Sequence, residues 1–243
     1  MHHVVLERWS RRSSPMHRSD PRAKIVDLLV FLVVLATAHR GLPLIAAALG
    51  ALLCCAIVWS RLPLGGALAR AAVVLPFSLA FAAVCWLAGD PARGVHLAVK
   101  SYLSALAVLL VVSTTPLPIL LRGLEALGAP RFLLMVAQFL YRYLFVISEE
   151  AQHMAKAAQS RGATAAGMLA RAARFQAAAG ALAVLFARSY GRAAEIHRAM
   201  LARGFQGHFE TVATLRFRKA DLALAIAGSL GPVALRFALE RCC

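Results

Sequence analysis

Acidic residues are scarce. The 243-residue chain holds 11 Asp+Glu against 27 Lys+Arg, a formal net charge of +16. They are nearly missing from the long apolar runs, where Asp27 and Asp221 stand close to the ends, so there is no carboxylate relay of the kind a self-powered secondary transporter needs. A phosphate-binding loop is also missing. None of Lys24, Lys100, Lys156 and Lys219 follows a glycine, which excludes Gly-x-x-x-x-Gly-Lys-Ser/Thr and ATP hydrolysis by that route. The 8 His and 5 Cys show no metal-ligand spacing and no nucleophile with a base, so neither a catalytic nor a metal site is expected. An odd cysteine count without regular spacing excludes a disulfide framework, and Cys54, Cys55 and Cys85, inside apolar runs, read as small core residues. Charge itself is sparse at 16%, while 60% of the chain is hydrophobic and the mean hydropathy is +0.70. Soluble domains are about 25% charged and roughly 45–50% apolar, so a water-soluble globule is excluded.

What is present is a series of apolar runs, rich in Ala, Leu and Val: Ile25 to Ala38, Leu42 to Trp59, Ala71 to Ala88, Ser101 to about Leu121, and Leu222 to Ala238. A membrane-crossing helix needs about 20 such residues, so the first run is short for its task. His39-Arg40-Gly41-Leu42-Pro43, Leu62-Pro63-Leu64-Gly65-Gly66 and Asp90-Pro91-Ala92-Arg93-Gly94 punctuate the boundaries. These features predict an all-α membrane protein with about five transmembrane helices.

Between Pro116 and Lys219 the texture changes, with Arg, Glu, Gln and His mixed into apolar residues at helical spacing. Phe132 to Ile147 is interrupted by Gln138 and Arg142 and closed by Glu149-Glu150, and Ala177 to Ala187 is too short to cross, so both are expected in amphipathic helices packed on the membrane face. Glu149 and Glu150 are expected to be solvated or paired with a nearby cation. The expected organisation is therefore a basic cytoplasmic segment at 1–24, a four-helix transmembrane region at 25–115, a cytoplasmic helical coupling module at 116–219, and a last transmembrane helix with its tail at 220–243. With the amino terminus inside, 22 of the 27 Lys+Arg fall on the cytoplasmic side. This is a strong positive-inside bias, and it accounts for the basic charge without nucleic acid as a partner.

Two stretches of the module end alike. Ala158-Gln159-Ser160-Arg161-Gly162 closes one, and Met200-Leu201-Ala202-Arg203-Gly204-Phe205 closes the other. An arginine is favoured beside the last carbonyls of a helix, and a glycine takes the left-handed conformation that stops it, so capping alone explains either copy. Two copies in one basic module also suit paired docking, because a guanidinium forks onto a carboxylate in a partner's groove.

At these residues the chain resembles the transmembrane T subunits of energy-coupling factor (ECF) importers. The likeness includes Asp20-Pro21-Arg22-Ala23-Lys24, Ser113-Thr114-Thr115-Pro116 and both Arg-Gly endings, and Tyr141-Arg142-Tyr143-Leu144-Phe145-Val146 followed by Glu149-Glu150 looks like the cobalt/nickel (CbiQ) branch. The first ending carries Ser160 where the family has alanine. The resemblance implies a non-catalytic subunit of the bacterial inner membrane that joins two ABC ATPases to a separate substrate-binding (S) membrane subunit, for Co2+ or Ni2+ uptake. It implies no cofactor in this chain, with ATP bound by the partner ATPases. It also implies ATPase docking through Ser160, Arg161, Gly162, Ala202, Arg203 and Gly204. A T subunit serving vitamin uptake and a membrane scaffold without transport are the alternatives.

Overall fold

The structure is a computed structural model and describes residues 14, 16–17, 19–38, 42–161, 168–207 and 219–242. Among these, every regular element is helical: α1 (Pro21–Thr37), α2 (Leu42–Trp59), α3 (Leu64–Ala71), a 3-10 turn (Ala72–Val74), α4 (Leu75–Leu87), α5 (Pro91–Thr114), α6 (Leu117–Ala126), α7 (Arg131–Ser160), α8 (Met168–Ala202) and α9 (Lys219–Cys242). The all-α expectation holds. Two compact units result, Met1–Gly128 with Ala213–Cys243, and Ala129–Val212. Within the first, α6 packs on α1, although residue 117 lies inside the segment set apart in the sequence.

Four stretches are long and apolar enough to cross a membrane: Leu64–Leu87, Pro91–Thr114, Arg131–Ser160 and Asp221–Ala238, with Pro43–Trp59 a shorter apolar helix. The boundaries differ from the sequence expectation in three places. The third run starts at Leu64, because Gly65 and Gly66 are absorbed into α3 and the 3-10 turn carries the chain into α4. The fourth starts at Pro91: Asp90 caps it by accepting from the Arg93 N–H at 3.2 Å, and proline at the first helical position has its φ already set. It stops at Thr114, because Thr115 precedes Pro116 and is extended (φ −139°, ψ 120°). The third difference concerns Phe132 to Ile147, read as too polar to span. It belongs to the 30-residue α7, which by length, and by composition over part of that length, is a candidate span despite Gln138 and Arg142.

α5 is the hub of the first unit, packing on α1, α2, α3 and α4. The core follows from spacing. Ile45, Leu49, Leu53 and Ile57 recur every four residues on one face of α2 and meet Phe31 and Leu35 of α1 and Leu103, Leu106 and Leu110 of α5. Cys54 and Cys55 fall on the other side of α2 and are exposed, which corrects their placement in the core; apolar side chains facing lipid need no protein partner. Where helices approach most closely, glycine is required. A Cβ on Gly94 would lie 2.8 Å from the Ala82 carbonyl oxygen of α4, and one on Gly228 of α9 would lie 2.5 Å from the Asp27 carboxylate of α1.

Candidate functional site

The second unit is the pair α7 and α8, joined by an ion pair between Glu150 and Arg188. Glu149 lies 3.9 Å from His153 one turn on. A groove of about 290 Å3 between the helices is lined by Phe139, Tyr143 and Ile147 from α7 and by Arg192, Ile196 and Met200 from α8. The α7 residues of this groove precede Glu150 while those of α8 follow Arg188, so the helices run in opposite directions. Rings stiffen α7: Phe139 stacks on Tyr143 at 6.2 Å, Tyr141 meets Phe145 edge-on at 5.1 Å, and the Arg142 guanidinium lies 5.9 Å from the Tyr143 ring centre.

Five of the six candidate docking residues have a defined place at a helix end. Ser160 closes α7, its hydroxyl donating to the Ala157 carbonyl at 2.9 Å. Arg161 follows as the C-cap (φ −87°, ψ 11°), with its N–H on the carbonyls of Ala157 and Ala158 at 3.3 and 3.2 Å. Gly162 lies outside the described residues. Ala202 is the last residue of α8, and Arg203 and Gly204 form a double closure. The Gly204 N–H donates to Leu201 O at 3.0 Å and the Phe205 N–H to Met200 O at 3.1 Å, with Gly204 left-handed at φ +78°. This is the capping geometry the sequence led us to expect. The same closure sends the chain away from the helix axis immediately after Arg203, and Ser160, Arg161, Ala202, Arg203 and Gly204 are all exposed.

The antiparallel arrangement separates the two arginines. From the Glu150–Arg188 contact, α7 continues roughly 16 Å to Arg161 and α8 roughly 22 Å the other way to Arg203, at about 1.5 Å per residue. The structure therefore does not gather the five described residues into one patch. It presents two cationic helix ends, up to roughly 40 Å apart by the same rise.

In the first unit the structure brings together two motifs that the sequence offered separately. Lys24, ahead of the apolar run of α1, is buried and donates to Thr115 Oγ1 at 2.8 Å and Thr114 O at 3.3 Å, where α5 gives way to α6. Asp20 caps α1 by accepting from the Arg22 N–H at 2.9 Å, and its own N–H donates to Asp221 Oδ1 of α9 at 3.1 Å. Desolvation pushes Lys24 down to about 8, against the pull of Asp221 and Asp20, so it stays cationic at neutral pH. The sequence offered Asp20-Pro21-Arg22-Ala23-Lys24 and Ser113-Thr114-Thr115-Pro116 as separate motifs, with no signal that they meet.

The helices and their apolar surfaces define a multi-pass, all-α membrane protein. Residues 12–213 match the cobalt transport protein family CbiQ, and the chain belongs to that family, the CbiQ branch of ECF-type T subunits. Among curated relatives, the cobalt transport protein CbiQ of Rhodobacter capsulatus is 28% identical over 124 residues, which is 51% of this chain and 49% of that protein. The energy-coupling factor transporter transmembrane protein EcfT of Bacillus selenitireducens is 28% identical over 231 residues, 84% of each chain. The nickel permease LarQ of Lactiplantibacillus plantarum is 29% identical over 198 residues, 79% of this chain and 68% of the relative.

Proposed function

We propose that this chain is the energy-coupling subunit of an ECF-type importer for Co2+ or Ni2+, held in the bacterial inner membrane with its amino terminus in the cytoplasm. It catalyses no reaction and carries no cofactor. Two ABC ATPases bind the ATP, and a separate S subunit binds the cargo. The observation that carries this function is the pair of exposed arginine helix ends, Arg161 and Arg203, pointing away from each other on antiparallel helices. Two separated cations give each of two ATPases its own contact, and a guanidinium fits a carboxylate-lined groove with two parallel hydrogen bonds. Ser160, Gly162, Ala202 and Gly204 keep the flanks small enough for close approach. When ATP draws the ATPases together, both ends of the α7–α8 pair are displaced, and the pair passes that motion on to the S subunit. The metal cargo is supported by the family match and by the cobalt and nickel relatives. The cytoplasmic amino terminus is supported by Arg8, Arg11, Arg12, Arg18, Arg22 and Lys24, the basic residues ahead of the first apolar run.

Co-purification of the tagged chain from native membranes in mild detergent tests this. Arg161→Glu or Arg203→Glu alone should lower ATPase recovery tenfold or more, on the order of the 2–5 kcal/mol lost when one partner of a buried charge pair is removed. The double variant should recover no ATPase while its level in the membrane stays unchanged. Full recovery of ATPase by the double variant would sink the proposal.

A further inference from the structure

A large open groove of about 1160 Å3 lies in the first unit between α1, α5 and the α3–α4 connection. It belongs to neither the α7–α8 pair nor the Lys24 knot. Its long wall is one face of α5, and that face changes character along its length. Arg93, His96, Lys100 and Ser104 follow at steps of three and four residues, and Val108 and Val112 then continue the same face. One half is therefore polar and cationic, the other apolar, and each covers roughly 10 Å of a helix long enough to span the bilayer. Leu32 and Leu35 of α1 supply the facing apolar wall.

The cationic end coincides with the end of α1. Lys100 Nζ donates to Ala36 O at 3.0 Å, and Arg236 of α9 donates to Thr37 O at 3.2 Å and to the Thr37 hydroxyl. Two cations from other helices thus stand at the last carbonyls of the short α1. Asp90 is the one carboxylate lining the groove among the described residues, and it is engaged as the cap of α5. The Arg93 side chain is exposed. The lining therefore carries four basic side chains, Arg93, His96 and Lys100 on α5 and Arg70 on α3, against one carboxylate, and it continues past them along the apolar Val108 and Val112. A molecule that complements both halves has an anionic head and a hydrocarbon tail.

We propose that this groove binds an anionic phospholipid, its phosphate on the Arg93–His96–Lys100 face and an acyl chain along Val108 and Val112. The phosphate accepts charge-assisted hydrogen bonds from Arg93 and Lys100, and the chain fills the space between α5 and α1. The site stands independently of the coupling role of Arg161 and Arg203.

Native mass spectrometry of the full-length chain, released from mild detergent after incubation with equal amounts of phosphatidylglycerol and phosphatidylcholine of matched chain length, tests it. Phosphatidylglycerol should be retained in preference by about tenfold, as expected for one or two charge-assisted contacts. Arg93→Gln removes an exposed cation without touching the core and should erase most of that preference, and Arg93→Gln with Lys100→Gln should erase all of it. Val108→Trp should lower retention of both lipids by narrowing the channel. Equal retention of the two lipids by the unaltered chain, or an unchanged preference in Arg93→Gln, would overturn the proposal. So would displacement of phosphatidylglycerol by glycerol phosphate alone, which would leave the channel without a role.

Discussion

Lys24 illustrates how a single buried charge sets a pH response. In the folded chain it releases its proton at about 8, and in the unfolded chain near 10.5, so between these values the unfolded state binds more protons. Stability should therefore rise with pH across that window, and Lys24→Met should flatten the rise. Thermal melts of both proteins in detergent from pH 7 to 11 would check this, and identical slopes would contradict it. Gly228 makes a second demand at this scale. Because a Cβ there would stand 2.5 Å from the Asp27 carboxylate, Gly228→Ala should destabilise the chain by about 1–3 kcal/mol. Pairing it with Asp27→Ala should recover part of the loss, giving a non-zero coupling in a double-mutant cycle. The sequence made Asp20-Pro21-Arg22-Ala23-Lys24 and Ser113-Thr114-Thr115-Pro116 visible as motifs but not as partners. Lys24 and Thr114 are 90 positions apart, and only the packing of α1 on α5 joins them.

Helix ends are the elements the sequence made clearest, since a cap is a local arrangement of a few neighbouring residues. The left-handed Gly204 behind Arg203 was legible for that reason, and so were the proline-led boundaries at Asp90 and Thr115. The start of α3 was not, because Gly65 and Gly66 read as a break while lipid-facing neighbours tolerate them inside a helix. The outward placement of Cys54 and Cys55 escaped for a related reason: every residue of α2 around them is apolar, so hydropathy cannot tell a lipid-facing side from a protein-facing one. The cap gives an element-scale prediction. Gly204→Ala puts a side chain at φ +78° and should cost about 1 kcal/mol, loosening the last turn of α8, whereas Gly191→Ala, within the same helix and open to space, should stabilise by about 0.5–1 kcal/mol. Thermal melts of the two variants should move in opposite directions, and a fall in both would refute the contrast.

At the scale of the molecule, the first described helix packs against the last. Asp221 accepts from the Asp20 N–H, Ser229 donates to Asp27 at 2.9 Å, and Arg236 reaches the end of α1, so α9 contacts α1 along its length. The unit of α7 and α8 is an insertion in a bundle that closes only when α9 arrives. Removing residues 219–243 should therefore lower the amount of chain in the membrane several-fold, because α1 is left with buried polar groups lacking their partners. Quantitative immunoblotting of membranes against the full-length chain measures this, and equal amounts would refute it. The Asp27–Ser229 pair, 202 positions apart, also turns synthesis into a waiting period. α1 is made early and holds a carboxylate whose hydroxyl partner has not been translated. At about 5–20 residues per second, the ribosome needs on the order of ten to forty seconds to deliver it. Through that interval the Asp27 carboxylate goes without the Ser229 hydroxyl, and α9 supplies it on arrival.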